Sequence, residues 1–166
     1  MRDKTFIATA FSAACLGMGL AFGLAIAAVK ADEAKVITLT QTGCQFIESE
    51  NGVERGFHPQ SGADCEKING ETGLQRLEAA KTLELAPGKY VFRVVNRDVP
   101  YELGFWLRDK DYEASNALAK LRKTSVSGGG LLPGKTKDYV IELKPGEYVY
   151  SCPLNPTPNY RLLVRG

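Results

Sequence analysis

Alternating apolar and polar positions predict a series of short β-strands, most of them in the second half of the chain. Residues 35–40 alternate and are β-branched, which is typical of an edge strand, and residues 90–95 alternate more strongly. Pro-Gly pairs at 87–88 and 145–146 supply turns. Further strands are predicted at 82–85, 101–107, 137–143, 147–151 and 160–164. Short strands and turns at this spacing are typical of an all-β sandwich.

The segments between these strands predict loops and short helical insertions. Residues 44–50 either extend the first strand or form a second short one. Residues 51–69 are rich in Gly, Pro, Ser and Asp, and we expect an ordered loop. Helical turns are predicted at 73–81 and 111–123, whereas the glycines of 128–134 indicate a loop.

The first 31 residues have the composition of an export or anchor segment. Arg2 and Lys4 precede an uncharged run that extends from residue 5 to residue 29. This run is long enough to cross a bilayer as a helix, and it exceeds the roughly 7–15 residues usual for the apolar core of a signal peptide. Small residues near Ala31 also fit a cleavage site, so an uncleaved inner-membrane anchor and a cleaved signal peptide both remain open. In either case residues 32–166 are predicted to be extracytoplasmic, in the periplasm.

The charge balance argues against a polyanionic partner. Of the 21 basic and 19 acidic residues, three basic and one acidic lie in the first 31 positions, so residues 32–166 are neutral overall. No basic field remains to attract nucleic acid. We therefore predict no nucleic-acid partner, and no motif identifies a small-molecule substrate or a catalytic triad.

Three cysteines follow residue 31, in a compartment where thiols tend to pair. Cys44 and Cys65 bracket the polar, Gly-rich stretch, and we predict a disulfide between them. A metal site of Cys44, His58 and Cys65 is the weaker alternative, because the spacing is irregular and a second histidine is missing. Cys152 is then the odd cysteine.

Three segments follow one another in order within the last 85 or so residues: residues 85–96 (LAPGKYVFRVVN), residues 96–101 and residues 132–153. Together they resemble a cupredoxin, the family of plastocyanin, amicyanin and azurin. The first segment resembles the family's strand that follows a Pro/Gly turn and ends in Asn, the second resembles its Asn-to-Pro-His segment, and the third resembles the hairpin that delivers the ligand cysteine. The resemblance implies a cupredoxin-like Greek-key β-sandwich over 32–166, with an insertion at 41–81 that the family does not explain.

The resemblance also implies a copper site, but the ligand residues are missing. A blue-copper centre needs a cysteine thiolate, two imidazoles and usually a weak axial methionine. Cys152 lies at the position of the ligand cysteine. The positions of the two histidines and the methionine are held by Tyr101, by Asn155, and by Asn159 or Tyr160. Because His58 is the only histidine and no methionine follows residue 31, we predict a degenerate site with no metal and no cofactor.

Three interpretations of Cys152 stay open. In the first, Cys152 and Asn155 brace the loop between the last two strands, with a buried thiol and an amide that bonds loop backbone. In the second, Cys152, Tyr101 and Glu102 form a weak metal site without imidazole. In the third, Cys152 is a redox thiol or pairs with another chain, although no adjacent cation lowers its pKa.

The same end of the predicted sandwich carries residues suited to protein contacts, since Tyr, Trp and Arg favour interface hot spots. Cupredoxins dock partners through the apolar surface around an exposed ligand, so the resemblance implies a docking face here. The predicted partner-binding residues are Tyr101, Trp106, Pro153, Leu154, Pro156 and Tyr160. Phe105, which alternates with Trp106, is expected in the core.

These observations predict a non-catalytic extracytoplasmic domain that acts as a membrane-anchored accessory or protein-binding subunit. The family analogy suggests a redox or transport complex as its setting. The alternative is a periplasmic copper- or iron-handling protein, or an electron-transfer protein with an atypical site. Against this alternative, the chain lacks the Met and His clusters that carriers show. A thiol oxidoreductase is disfavoured because no Cys-x-x-Cys motif is present.

Overall fold

The computed structural model describes residues 33–113, 115, 117–118 and 124–166. The segment predicted as an anchor or signal lies outside them, as does much of the helical turn predicted at 111–123. Among the described residues, no helix is long and apolar enough to span a membrane. The described strands are β1 (Lys35–Thr42), β2 (Gln45–Phe46), β3 (Leu83–Leu85), β4 (Gly88–Asn96), β5 (Leu103–Asp109), β6 (Ser125–Leu131), β7 (Thr136–Leu143), β8 (Gly146–Ser151) and β9 (Tyr160–Val164). Two helices lie between β2 and β3, a 3-10 helix (Glu48–Glu50) and α1 (Gly62–Ala79).

The strands form two sheets in a β-sandwich-like arrangement. The four-stranded sheet has the order β2-β1-β4-β7, and the five-stranded sheet has the order β3-β9-β8-β5-β6. β1 runs parallel to β4, and β3 runs parallel to β9, while the remaining pairings are antiparallel. The prediction of a mostly β protein is therefore confirmed, with mixed rather than purely antiparallel sheets.

Alternate residues of both sheets point into one apolar core. β4 and β7 alternate buried and exposed positions along their length, as half-buried strands do. Phe105 is fully buried, as predicted, with its ring centroid 5.6 Å from that of Phe92 and 6.2 Å from that of Tyr150. Burial of each such side chain contributes about 1.5–3 kcal/mol, so this aromatic centre holds the two sheets together.

Helix α1 corrects the loop predicted at 51–69. The helix begins at Gly62 and continues to Ala79, well before the two turns predicted from residue 73. Ser61 and Asp64 form a capping box, which satisfies free backbone N–H groups at the helix N-terminus. Because α1 has no continuous apolar stripe, polar contacts and a disulfide position it instead. Residues 41–81, which were predicted to be an insertion, contain the end of β1, β2, the 3-10 helix, an irregular segment and α1.

Strand β6 corrects the first part of the loop predicted at 128–134, because it continues to Leu131, whereas residues 132–135 form a turn. Neighbouring side chains crowd two of its glycines. A Cβ on Gly129 would lie 2.8 Å from Glu102 Oε1, and a Cβ on Gly128 would lie 3.3 Å from the Tyr139 ring. Close packing therefore accounts for Gly128 and Gly129, whereas Gly130 (φ 77°) and Gly134 (φ 68°) adopt a left-handed backbone conformation that favours glycine.

Candidate functional site

Three of the four predicted ligand positions converge at the end of β8. Tyr101 precedes β5, whereas Cys152 and Asn155 follow β8. The Tyr101 hydroxyl donates to Asn155 Oδ1 at 3.1 Å, and the Asn155 backbone N–H donates to Cys152 Sγ at 3.2 Å. Asn159 lies apart from this cluster, is exposed, and accepts a hydrogen bond from Arg108 Nη2 at 2.8 Å.

Asn155 ties the loop after β8 to the turn between β1 and β2. Its side chain is fully buried. Oδ1 accepts the Cys44 N–H at 3.1 Å, and Nδ2 donates to the Thr42 carbonyl at 3.0 Å. Oδ1 also lies 2.9 Å from Cys65 Sγ, a contact without a hydrogen bond because a disulfide sulfur carries no proton. The side chain thus joins segments more than 100 residues apart in sequence.

The predicted disulfide is present between Cys44 and Cys65, with an S–S distance of 2.08 Å. Both cysteines are fully buried, and the bond fastens the first turns of α1 to the turn between β1 and β2. The alternative metal site with His58 is therefore wrong, because the two sulfurs are bonded to each other rather than free as thiolates.

Cys152 is enclosed, and its thiol is held in the neutral form. Its side chain is 1% exposed, and Sγ accepts the Gly104 N–H at 3.4 Å. Burial raises the pKa of Cys152, although neighbouring N–H groups and the Gln41 side chain favour the thiolate. Nothing in this environment makes Cys152 a reactive nucleophile.

Gln41 is a site residue that sequence reasoning missed. It is fully buried on β1, its Nε2 donates to the Gly104 carbonyl at 2.8 Å, and its amide contacts the Cys152 thiol. Its Oε1 has no hydrogen-bond partner among the described residues. A polar residue in an otherwise alternating strand is the only sequence signal that marks it.

Tyr101 is a neutral hydrogen-bond donor to the cluster. It is half-buried, and burial, followed by the nearby Cys152, raises the pKa of Tyr101 to about 12. The neighbouring Glu102 is exposed and accepts the Gly130 N–H at 2.6 Å. In the weak metal site considered for Cys152, Tyr101 and Glu102, both oxygen donors therefore already form other hydrogen bonds.

The donor set of this cluster does not fit a copper ion. It offers one thiol with a raised pKa, one phenol and two amides, and it offers no imidazole. The phenol hydrogen and the Asn155 amide are already used in internal hydrogen bonds. In the part of the chain that the structure describes, no three His, Cys, Asp or Glu side chains are placed to hold a metal ion.

A shallow apolar depression, which we call the Trp106 trough, lies beside this cluster. It has a volume of about 390 Å³, and its lining includes the three glycines Gly104, Gly128 and Gly129. Its walls include three predicted partner-binding residues, Trp106, Pro153 and Leu154. Leu154 is 44% exposed.

The other predicted partner-binding residues do not line this trough. Tyr101 and Pro156 are half-buried. Tyr160 is fully buried, which corrects its assignment to the surface, because its ring faces the core and its hydroxyl donates to Glu50 at 2.7 Å.

Arg108 extends the Trp106 trough along β5. Its guanidinium lies 3.9 Å from the centroid of the Trp106 ring, which is cation–π geometry. It donates to Ser151 Oγ at 3.2 Å and to Asn159 Oδ1 at 2.8 Å. Burial lowers the pKa of Arg108 from its usual range, yet an arginine stays charged at neutral pH.

A buried ion pair behind the site was not predicted from sequence. Glu50 and Arg76 are each 3% exposed, and Arg76 Nε lies 3.0 Å from Glu50 Oε1. Arg76 also donates to the Cys44 carbonyl at 2.9 Å. Burial tends to raise the pKa of Glu50, but hydrogen bonds from Arg76, Tyr160 and Arg55 outweigh it and lower that pKa. The pair fixes α1 against the sandwich at the turn that Asn155 braces.

Comparisons with known proteins do not identify a family for this chain. No family model and no curated protein matches the chain. One solved structure, the crystal structure of Lac15 from a marine microbial metagenome, aligns with 16% identity and a TM-score of 0.36. The alignment covers 81% of this chain and 28% of that one, so the chain spans under a third of that structure's length. Similarity at this level does not establish a shared fold.

Proposed function

We propose that this chain is a non-catalytic, extracytoplasmic protein-binding domain with a cupredoxin-like fold and no copper ligands. Its N-terminal segment would hold it at the membrane, where it serves as an accessory subunit of a membrane complex. The observation that carries this proposal is the closed hydrogen-bond cluster at the end of β8, in which Tyr101, Asn155 and Cys152 bond each other. These groups close the site instead of leaving ligand positions open.

The placement of this cluster supports the cupredoxin-like part of the proposal. The hairpin of β7 and β8 delivers Cys152, and the segment between β4 and β5 delivers Tyr101. The resemblance implied the same two segments for the first histidine and the cysteine. Their convergence on Asn155, three residues after Cys152, is what a cupredoxin-like chain with replaced ligands should have.

The Trp106 trough supports the binding part of the proposal. Trp and Arg side chains, stacked here at 3.9 Å, are enriched at interface hot spots. The exposed Leu154 and Pro153 add apolar surface at the same place. Since the buried thiol and the absence of imidazole give no support to metal handling, binding is the activity that this end of the molecule suits.

Site-specific photo-crosslinking in native membranes tests the proposal. A photoreactive amino acid is placed at Leu154, in the trough, or at Val140, which is 53% exposed on the other sheet and serves as the matched control. We expect one discrete crosslinked product from position 154 that is absent from position 140 and lost with Trp106→Ala. Equal products from both positions, or none from position 154, would contradict the proposal.

A further inference from the structure

Two arginines and the Trp106 trough lie on the same outer face of the five-stranded sheet. In β5, Phe105 and Leu107 point into the core, so Trp106 and Arg108 point outward. Arg108 is opposite Val149 in β8, which is opposite Arg161 in β9. With strands spaced about 4.8 Å apart, the backbones of the two arginines lie roughly 10 Å apart across this row.

Arg108 and Arg161 differ from the other described arginines because neither forms an ion pair with a described carboxylate. Within the described ranges, the other arginines each contact a carboxylate; they are Arg55, Arg76, Arg93, Arg97 and Arg165. Arg108 instead donates to Ser151 and Asn159, and Arg161 donates to the Leu77 carbonyl at 3.4 Å.

The carboxylate of Glu147, on the same face, is taken by Lys110 at 2.6 Å. Across the described part of this face, the row of Arg108, Val149 and Arg161 therefore carries two positive charges that no ion pair balances.

We propose that the trough and the two arginines form one surface that binds an acidic segment of a partner polypeptide. An apolar side chain of that segment enters the trough between Trp106 and Leu154, and its carboxylates pair with Arg108 and Arg161. This proposal rests on the proposed function and adds the chemistry of the partner. The two positive charges favour acidic residues in the partner, and the apolar lining of the trough favours an apolar partner side chain that fills it.

A polypeptide fits this surface better than a nucleic acid or a lipid bilayer. Both of those present many phosphates and call for an extended basic field. The extracytoplasmic residues are neutral overall, and this face offers two unpaired arginines beside an apolar depression. A trough of about 390 Å³ suits a large side chain.

The test uses the full-length protein in nanodiscs, panned against a random-peptide display library. We expect enriched peptides that combine Asp or Glu with Leu, Phe or Trp. Fluorescence polarisation with the best synthetic peptide should give an affinity at least about tenfold weaker for Arg108→Gln/Arg161→Gln. The control Arg93→Gln/Arg97→Gln loses the same charge at two arginines that are paired with carboxylates, on β4 of the four-stranded sheet and directly after it, and should bind within about twofold of wild type.

Failure of this inference is distinguishable from failure of the proposed function. One outcome is that the enriched peptides lack acidic residues, and that their binding is lost with Leu154→Ala but not with Arg108→Gln/Arg161→Gln. This would contradict the proposed acidic partner and would still support a protein-binding surface at the trough. If neither variant changes binding, or nothing is enriched, both are overturned. The proposal of a polypeptide partner would be contradicted if phosphatidylglycerol vesicles or a single-stranded DNA oligonucleotide bound in a way that depends on the two arginines while no acidic peptides were enriched.

Discussion

Replacement of Asn155 by alanine removes the side chain that closes the cluster beside Cys152. The change leaves the Cys44 N–H and the Thr42 carbonyl buried without their partner, since both bond the Asn155 amide. Each such unsatisfied group costs about 1–3 kcal/mol, so we expect a loss of about 2–6 kcal/mol in the free energy of unfolding. The half-buried Tyr101 hydroxyl can turn to solvent and adds little. Against a total stability of about 5–15 kcal/mol, this loss is large.

Urea unfolding of the full-length protein, followed by fluorescence of the single tryptophan Trp106, measures this loss. The matched control is Asn159→Ala, which deletes the same amide at an exposed position in the same loop and should cost about 1 kcal/mol or less. A cost for Asn155→Ala below about 1 kcal/mol, or equal to that of Asn159→Ala, would refute the reasoning.

Three further predictions concern the buried ion pair and the thiol. Arg76→Met should lower the free energy of unfolding by up to about 3–5 kcal/mol, because the buried Glu50 loses its buried partner and keeps only the more exposed Arg55 as a cation; a loss under about 1 kcal/mol in urea unfolding would contradict this. Because the folded state lowers the pKa of Glu50 below 4.5, its stabilisation is complete above that pH and is lost as the pH falls through the folded value. Wild type should therefore lose more stability than Glu50→Gln between pH 5 and pH 3, and equal losses would speak against the assignment. Native Cys152, buried and with a raised pKa, should react with a thiol reagent at pH 8 only after unfolding, so rapid stoichiometric labelling of the native protein would show that the site is open.

The strands were predictable because their sequence pattern reports local burial. β4 and β7 alternate because one face of each packs on the core, and that alternation is visible without a structure. The disulfide was predicted from an expected extracytoplasmic location and from the way Cys44 and Cys65 bracket a polar stretch. Cys152, Tyr101 and Asn155 were identified as neighbours through the family resemblance, since their spacing in sequence does not bring them together by itself.

The elements that were missed depend on tertiary contacts. Helix α1 has little apolar periodicity, and the capping box of Ser61 and Asp64 is the signal that would have indicated its start. Two glycines of β6 are crowded by Glu102, which precedes β5, and by Tyr139 of β7. Likewise, 26 residues separate Glu50 from Arg76, and no local pattern links a buried carboxylate to a particular arginine.

The measurement that tests the central claim most directly is copper binding by the full-length protein. Detergent-solubilised protein is incubated with Cu(II) or Cu(I), desalted, and examined for bound metal and for a visible thiolate-to-copper absorption band. With Cys152 enclosed and no imidazole beside it, we predict less than stoichiometric copper, no such band, and no difference between wild type and Cys152→Ser. One tightly bound copper per chain that is lost with Cys152→Ser would contradict a closed, metal-free site.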